Sequence, residues 1–389
     1  MFSFFKRTPG VFSLYLLIGL ARVSHTLDKL PADPGFDRLR EVRTDGIRGV
    51  FNQSLSYLDI SAHVGPLITT AFELQYSAII LTLTTVFFTA LLSLLIFNVV
   101  RVEIGSRFIA IICGALLMLI PAAAESTLGN HGSLKWPLLA ALCIVINAPE
   151  FRNRYIGVVL VLIFFTGLSN PFAFVALSGL TVQYLRKSRG GVRNERLIVA
   201  CIVVTTLVQF FVWHSSGVGS HIYASATFLP WNGMGVFWWW IWCSPVVMSI
   251  AVLLGLLTVW QRRTEQRVYA GWLATCSLVL WILMYWEAGI KDSIAVATCT
   301  LSSIALLLAV HSIKPNQFQR FLFAGVVGSF ALLSIPWFSA GSYLTETPNW
   351  RDEIARLQSE CARQNVQRGE VLIQSTHIEF TCDEIADWD

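Results

Sequence analysis

Charge is what this chain has least of. Only 13% of its 389 residues are charged, against 55% hydrophobic. A soluble domain carries about a quarter of its residues as Asp, Glu, Lys or Arg, so an ordinary soluble fold is excluded. Cysteine in aqueous segments is almost missing as well. Cys113, Cys143, Cys201, Cys243, Cys276 and Cys299 all fall within apolar runs, where a thiol is simply a small apolar group. No Cys–Cys or Cys–His spacing suits a metal, and neither a Walker nor a Rossmann signature is present. There is no internal repeat, low-complexity tract or long linker, and a net charge of +4 calls for no nucleic-acid partner.

What is there instead is apolar sequence in long runs. A spanning helix needs roughly 17–25 mostly apolar residues. Eleven stretches qualify, some of them short: about 9–27, 75–100, 107–124, 134–148, 155–168, 171–185, 197–214, 234–260, 268–286, 293–312 and 320–338. Lys6-Arg7 ahead of the first stretch resembles a secretory leader, but Ala21-Arg22-Val23-Ser24-His25 is a poor cleavage site. An uncleaved first span is therefore expected.

Charge placement orients these spans. With the N-terminus cytoplasmic, the inner loops hold Arg101 and Arg107, Arg152 and Arg154, and the cluster Arg186, Lys187, Arg189, Arg193 and Arg196. Arg262, Arg263 and Arg267, then Lys314 and Arg320, complete the inner set. Five consecutive short basic loops on one side obey the positive-inside rule. Of 24 acids, only Glu103, Glu150, Glu195 and Glu265 fall inside. The expected fold is an all-α polytopic membrane protein of about eleven transmembrane helices with an external C-terminus.

Three external regions break the pattern. The loop 28–74 is far longer than the other connections, is rich in both charge signs, and ends in a moderately apolar stretch, Ile60 to Phe72. That stretch reads as a helix lying in the interface. The loop 215–233 is rich in Gly and Ser. The tail reads as a helix over 349–357 and strands over 369–374 and 377–380, a small αβ cap in which Cys361 and Cys382 are the natural disulfide pair on an oxidising side. The division is thus a transmembrane domain, 1–340, and a cap, 341–389.

Candidate chemistry gathers outside. Asp45 stands in Arg43-Thr44-Asp45-Gly46-Ile47-Arg48-Gly49. The glycines would let backbone approach a ligand, and Arg43 and Arg48 have the fork geometry for phosphate. A polar turn held by Asp–Arg pairs is the plainer alternative. Glu125, His131 and Lys135 place an acid, an imidazole and a cation in one short turn, which could equally be an interfacial hairpin. Asn170, in the sharp turn Gly167-Leu168-Ser169-Asn170-Pro171, would face the same vestibule. Lys291, between Glu287 and Asp292, is a phosphate or sugar contact or a solvated loop residue. His214 and His221 flank the Gly/Ser loop. Arg22 is a candidate lipid-phosphate partner, and Trp238-Trp239-Trp240 with Trp242 form an aromatic belt.

Many spans, a long acidic first external loop, an interfacial helix after it and a small external tail resemble the GT-C superfamily of membrane glycosyltransferases. The turn with Pro121, Glu125, Asn130 and Trp136, followed by Gly167-Leu168-Ser169-Asn170-Pro171-Phe172, is similar to a pattern in poorly characterised bacterial members. The resemblance implies transfer of a sugar from a polyprenyl-phosphate donor to an envelope glycan or lipid on the outer face of a bacterial inner membrane. It implies Asp45 as the base and Glu125 as a second acid, with Arg43, Arg48 and Lys135 on the lipid phosphate. Two vestibule acids could also share a divalent metal. Many members carry paired acids in the first loop; here Asp45 follows Thr44, and Asp59 is the acid that would compensate. The alternative is a transporter or flippase, which would place ionisable groups near the midplane rather than along one face.

Overall fold

The computed structural model describes residues 8–30, 35–51, 53–54, 57–120, 128, 130–178, 192–215, 265–286, 293–311, 317, 324–325, 328, 347–364, 368–373 and 376–388. The expected spans 234–260 and 320–338 lie almost wholly outside these residues, as do most of the Gly/Ser loop and the tryptophan tract. The described chain is mostly helical, with small antiparallel sheets.

It begins with α1 (Pro9–Val23), then α2 (Gly35–Asp45), a 3-10 turn (Gly46–Phe51) and a small hairpin of β1 (Gln53–Ser54) and β2 (Tyr57–Leu58). Next come α3 (Ile60–Thr69), α4 (Ser77–Ile104), α5 (Arg107–Leu119) and α6 (Lys135–Ile146). The helical body continues through α7 (Pro149–Arg154), α8 (Ile156–Gly167), α9 (Val192–Ser215), α10 (Glu265–Trp286) and α11 (Ser293–His311). Among the described residues, two helices are long and apolar enough to cross a membrane, Leu74–Ile104 and Asn194–Val212. Seven further apolar helices are shorter.

Local chemistry sets the breaks between them. Gly105 (φ 77°) closes α4 in the left-handed region, where a side chain would be strained, and Ser106 opens α5 by accepting from the Ile109 amide. Pro149 and Pro171 each start a helical turn, as their fixed φ favours. The main core then forms where α4, α5, α6, α10 and α11 bury Leu, Ile, Val and Ala against one another. On the cytoplasmic side of the expected topology, buried Arg152 donates to Ile146 O (2.8 Å) and Glu195 (3.0 Å), while Glu103 accepts from the Phe151 amide (2.9 Å).

A second core lies at the other end and joins distant sequence. The cap comprises α12 (Trp350–Gln364), β3 (Arg368–Ile373), β4 (Thr376–Thr381) and α13 (Cys382–Trp388). Its strands pair antiparallel from Arg368↔Thr381 to Ile373↔Thr376, close to the expected limits. Cys361 and Cys382 stand at disulfide distance, Sγ–Sγ 2.01 Å. Trp350, Ile354, Leu357, Val371, Phe380 and Trp388 pack with Phe36 and Leu39 of α2 and with Leu74. The cap therefore shares its core with the first loop.

Polar contacts finish that joint. The Trp350 amide donates to Asp28 O (2.8 Å) and its indole to Leu74 O (2.9 Å). Arg40 grips Glu384 through both carboxylate oxygens, at 2.6–3.0 Å. Arg43 donates to the carbonyls of Trp388, Thr69 (2.8 Å) and Phe72 (2.8 Å) and to Ser77 Oγ (3.2 Å).

Two outcomes follow for the joint. Trp350→Ala removes its largest buried side chain and should cost about 3–5 kcal/mol. Limited proteolysis of the detergent-purified protein should then cut the cap while the wild type resists; equal resistance would refute the shared core. The second outcome concerns acid. Partial burial disfavours the Glu384 carboxylate, but the Thr381 amide and then Arg40 outweigh it and hold its pKa below the ordinary value. A lowered folded-state pKa contributes stability above the ordinary carboxylate range and loses it as pH falls through the lowered value. Cap protection should hold at neutral pH and weaken only in acid, and Glu384→Gln should weaken the neutral state and flatten that dependence.

Candidate functional site

One acid of the first loop is sealed from water. Asp59 has no exposure and caps α3, its Oδ1 accepting from the Ala62 amide (3.3 Å) and from Ser61 Oγ (2.9 Å). Its Oδ2 faces two cations, Lys135 Nζ at 3.2 Å and Arg38 at 3.5 Å. Lys135 also donates to the Tyr57 hydroxyl and lies 4.8 Å from the centre of that ring. Arg38, Asp59 and Lys135 are all buried, so this is an ion cluster rather than a surface pair. Among the described residues, two cations thus face one carboxylate.

The elements that bring these groups together come from far apart in the chain. Arg38 arrives on α2 and Lys135 at the first residue of α6. Asp59 is held in register by the turn at 167–172. The Ile60 amide donates to Leu168 O (3.4 Å), and the Ser61 amide to Ser169 Oγ (2.9 Å). Gln209 of α9 bridges the same strands of chain, donating to Leu58 O (2.8 Å) and Gly167 O (3.0 Å) and accepting from the Leu58 amide (3.0 Å). Asn170 is fully buried; its Nδ2 donates to Lys135 O (3.3 Å) and its Oδ1 accepts from the Phe172 amide (2.9 Å). Trp136 and Phe172 stack across the two turns, centroids 6.1 Å apart. His131 is buried beside α3, where a Cβ on Gly65 would lie 3.6 Å from its own.

A second polar pair adjoins the cluster. His63, with no exposure, donates from Nδ1 to Asp59 O at 2.8 Å, because a carbonyl can only accept. Its Nε2 lies 3.2 Å from Glu41 Oε2. Glu41 is about a third exposed, 34%, and so reaches from this buried set toward solvent.

The structure thus unites Lys135, His131 and Asn170 of the sequence-derived set. Asp45 and Arg48 are exposed at the end of α2 and in the 3-10 turn after it. The glycines there serve the chain itself. Gly46 (φ 60°) ends α2, and a Cβ on Gly49 would meet Glu41 O at 2.7 Å. Arg43 is engaged by the carbonyls of the cap joint. Arg22 is buried in the last turn of α1. Glu125 and Lys291 lie outside the described residues. Among the described residues no three His, Cys, Asp or Glu side chains gather as a metal set. Sequence reading missed Arg38, Glu41, Tyr57 and His63. The available signal was a lone Asp in Tyr57-Leu58-Asp59-Ile60, an acid between apolar neighbours at a helix start.

Chemically, a fork-shaped guanidinium, an ammonium and a phenol side by side suit an anion such as phosphate. Removing one partner of a buried ion pair costs about 3–5 kcal/mol. Asp59→Asn should therefore lower the melting temperature in detergent far more than Asp45→Asn, whose exposed site predicts a change within about 0.5 kcal/mol. Equal melting of the two variants would contradict the buried cluster. No family model and no curated protein sequence matches this chain.

Proposed function

We propose that this chain is an integral-membrane glycosyltransferase of GT-C type in a bacterial inner membrane. In this reading it has about eleven spans, a cytoplasmic N-terminus and an external C-terminus. It takes a sugar from a polyprenyl-phosphate donor and attaches it to an envelope glycan or lipid on the outer face. The observation that supports it best is a convergence. The first loop, the turn at Lys135 and the Gly-Leu-x-x-Pro-Phe turn each carry the marks of external chemistry in the sequence, and their residues meet in one buried ion cluster.

The division of labour follows from the charges. Arg38 and Lys135 hold the lipid phosphate and stabilise the charge that grows on it as the glycosidic bond breaks. Asp59 holds those two cations in place. Tyr57 and Asn170 fix the position of Lys135. The resemblance implies Asp45 as the base and Glu125 as a second acid, with Arg43 and Arg48 beside Lys135 on the lipid phosphate; His131 and Lys291 are substrate contacts by their own chemistry. Transport has weaker support, since the described ionic cluster sits at one end of the helical body beside the cap.

The test is mass analysis of envelope glycans in the source strain deleted of this protein, complemented with wild type or with Lys135→Met. Membrane abundance is checked by blotting. One sugar should disappear on deletion, return with wild type and stay absent with Lys135→Met at equal abundance. An unchanged glycan profile on deletion would exclude the transferase reading in favour of transport.

A further inference from the structure

Resting on the glycosyltransferase reading, we infer that Glu41, held by His63, is the carboxylate that takes the proton from the acceptor hydroxyl, in place of Asp45, to which the resemblance gives that role. Three observations point there. First, Asp59 is a poor base, because it is sealed and both of its oxygens are engaged by Ser61, Ala62, Lys135 and Arg38. Second, among the described residues Glu41 is the carboxylate next to this cluster that still reaches water, at 34% exposed. Third, α2 places Glu41 three residues after Arg38, a spacing that sets the two side chains on one face, about 5–6 Å apart at Cβ. A hydroxyl at Glu41 would thus stand beside the seat for the departing phosphate. Asp45 lies one further turn along the same face, but exposed.

The hydrogen bonds also orient the imidazole. His63 Nδ1 donates to Asp59 O, a carbonyl. That bond turns Nε2 toward Glu41 Oε2, 3.2 Å away, and holds the carboxylate in place. This is a carboxylate–imidazole couple oriented by a third group, the logic of an activated acid–base site.

The step balances. The acceptor O–H bond breaks and its proton goes to Glu41. The oxygen's electron pair forms the new bond to the sugar's anomeric carbon. The bond from that carbon to the phosphate oxygen breaks, and its electron pair leaves on the polyprenyl phosphate, against Arg38 and Lys135. Among the described residues, charged or titratable groups on the elements packed around the pair include Arg38, Tyr57, Asp59, His131 and Lys135, with Arg48 on the 3-10 turn.

The experiment uses the purified full-length protein in proteoliposomes. The probes are total polyprenyl-linked sugars extracted from the source cells as donor and envelope from the deletion strain as acceptor. Sugar transferred is measured by mass spectrometry, and each variant's melting temperature is measured alongside. Glu41→Gln should lose about 10²–10⁴-fold, the scale of general-base catalysis, with its melting temperature unchanged. His63→Gln should lower the rate less than Glu41→Gln does. If Glu41→Gln does not accumulate, Glu41→Asp carries the same test, a slower rate at unchanged melting temperature. A Glu41 variant that melts normally and keeps the wild-type rate overturns this inference alone. A wild-type protein that transfers no sugar overturns the transferase reading and this inference together.

Discussion

A carboxylate taken out of water must be compensated where it stands, and Asp59 is compensated by side chains from three separate parts of the chain. Its own helix supplies Ser61 and the Ala62 amide, α2 supplies Arg38, and α6 supplies Lys135. Removing Asp59 would break both buried ion pairs. The ion cluster therefore specifies how the first loop sits on the helical body. Gln209 and Ser169 extend the same constraint into the backbone, so the loop's path is fixed on both sides of Asp59.

The same helix that delivers Arg38 also carries the cap. One face of α2 turns Phe36 and Leu39 toward Trp350 and Phe380, and Arg40 and Arg43 reach Glu384 and Trp388. The other face turns Arg38 and Glu41 toward Asp59 and His63. An eleven-residue helix between two such partners has little freedom to move. Its own propensity contributes modestly, since a helix this short is marginal in isolation. Order at the ion cluster thus depends on docking of residues more than 300 positions downstream, and the cystine at Cys361–Cys382 braces the element that does the docking.

This dependence explains what could and could not be read from the sequence. The apolar runs gave helices close to their expected limits at α4, α6, α8 and α11, because burial and composition act locally there. The cap's strands and cysteine pair were legible for the same reason. Helix α2 was not. Phe36, Leu39 and Val42 have helical spacing but sit among Asp37, Arg38, Arg40, Glu41 and Arg43, and the partner that makes the spacing meaningful lies in the tail. The Arg43–Gly49 stretch drew attention through its residue types alone. In the structure its glycines end a helix and pack a turn, and Arg43 serves carbonyls of the joint. Lys135, His131 and Asn170 were recognisable because polar residues at the ends of apolar helices are costly without a purpose.

Sealing Asp59 also bears on which acid can do chemistry. A base must exchange protons with its substrate, and a carboxylate whose lone pairs already serve two cations, a hydroxyl and an amide has none to spare. Its value lies in fixing cations so that they need not reorganise when negative charge develops nearby. Proton transfer then falls to a group at the edge of the cluster, oriented but still reachable. Glu41 meets that description through His63, whose ring is itself fixed by the carbonyl of Asp59. The backbone of the sealed acid thus orients the base, while its side chain orients the cations that receive the leaving group.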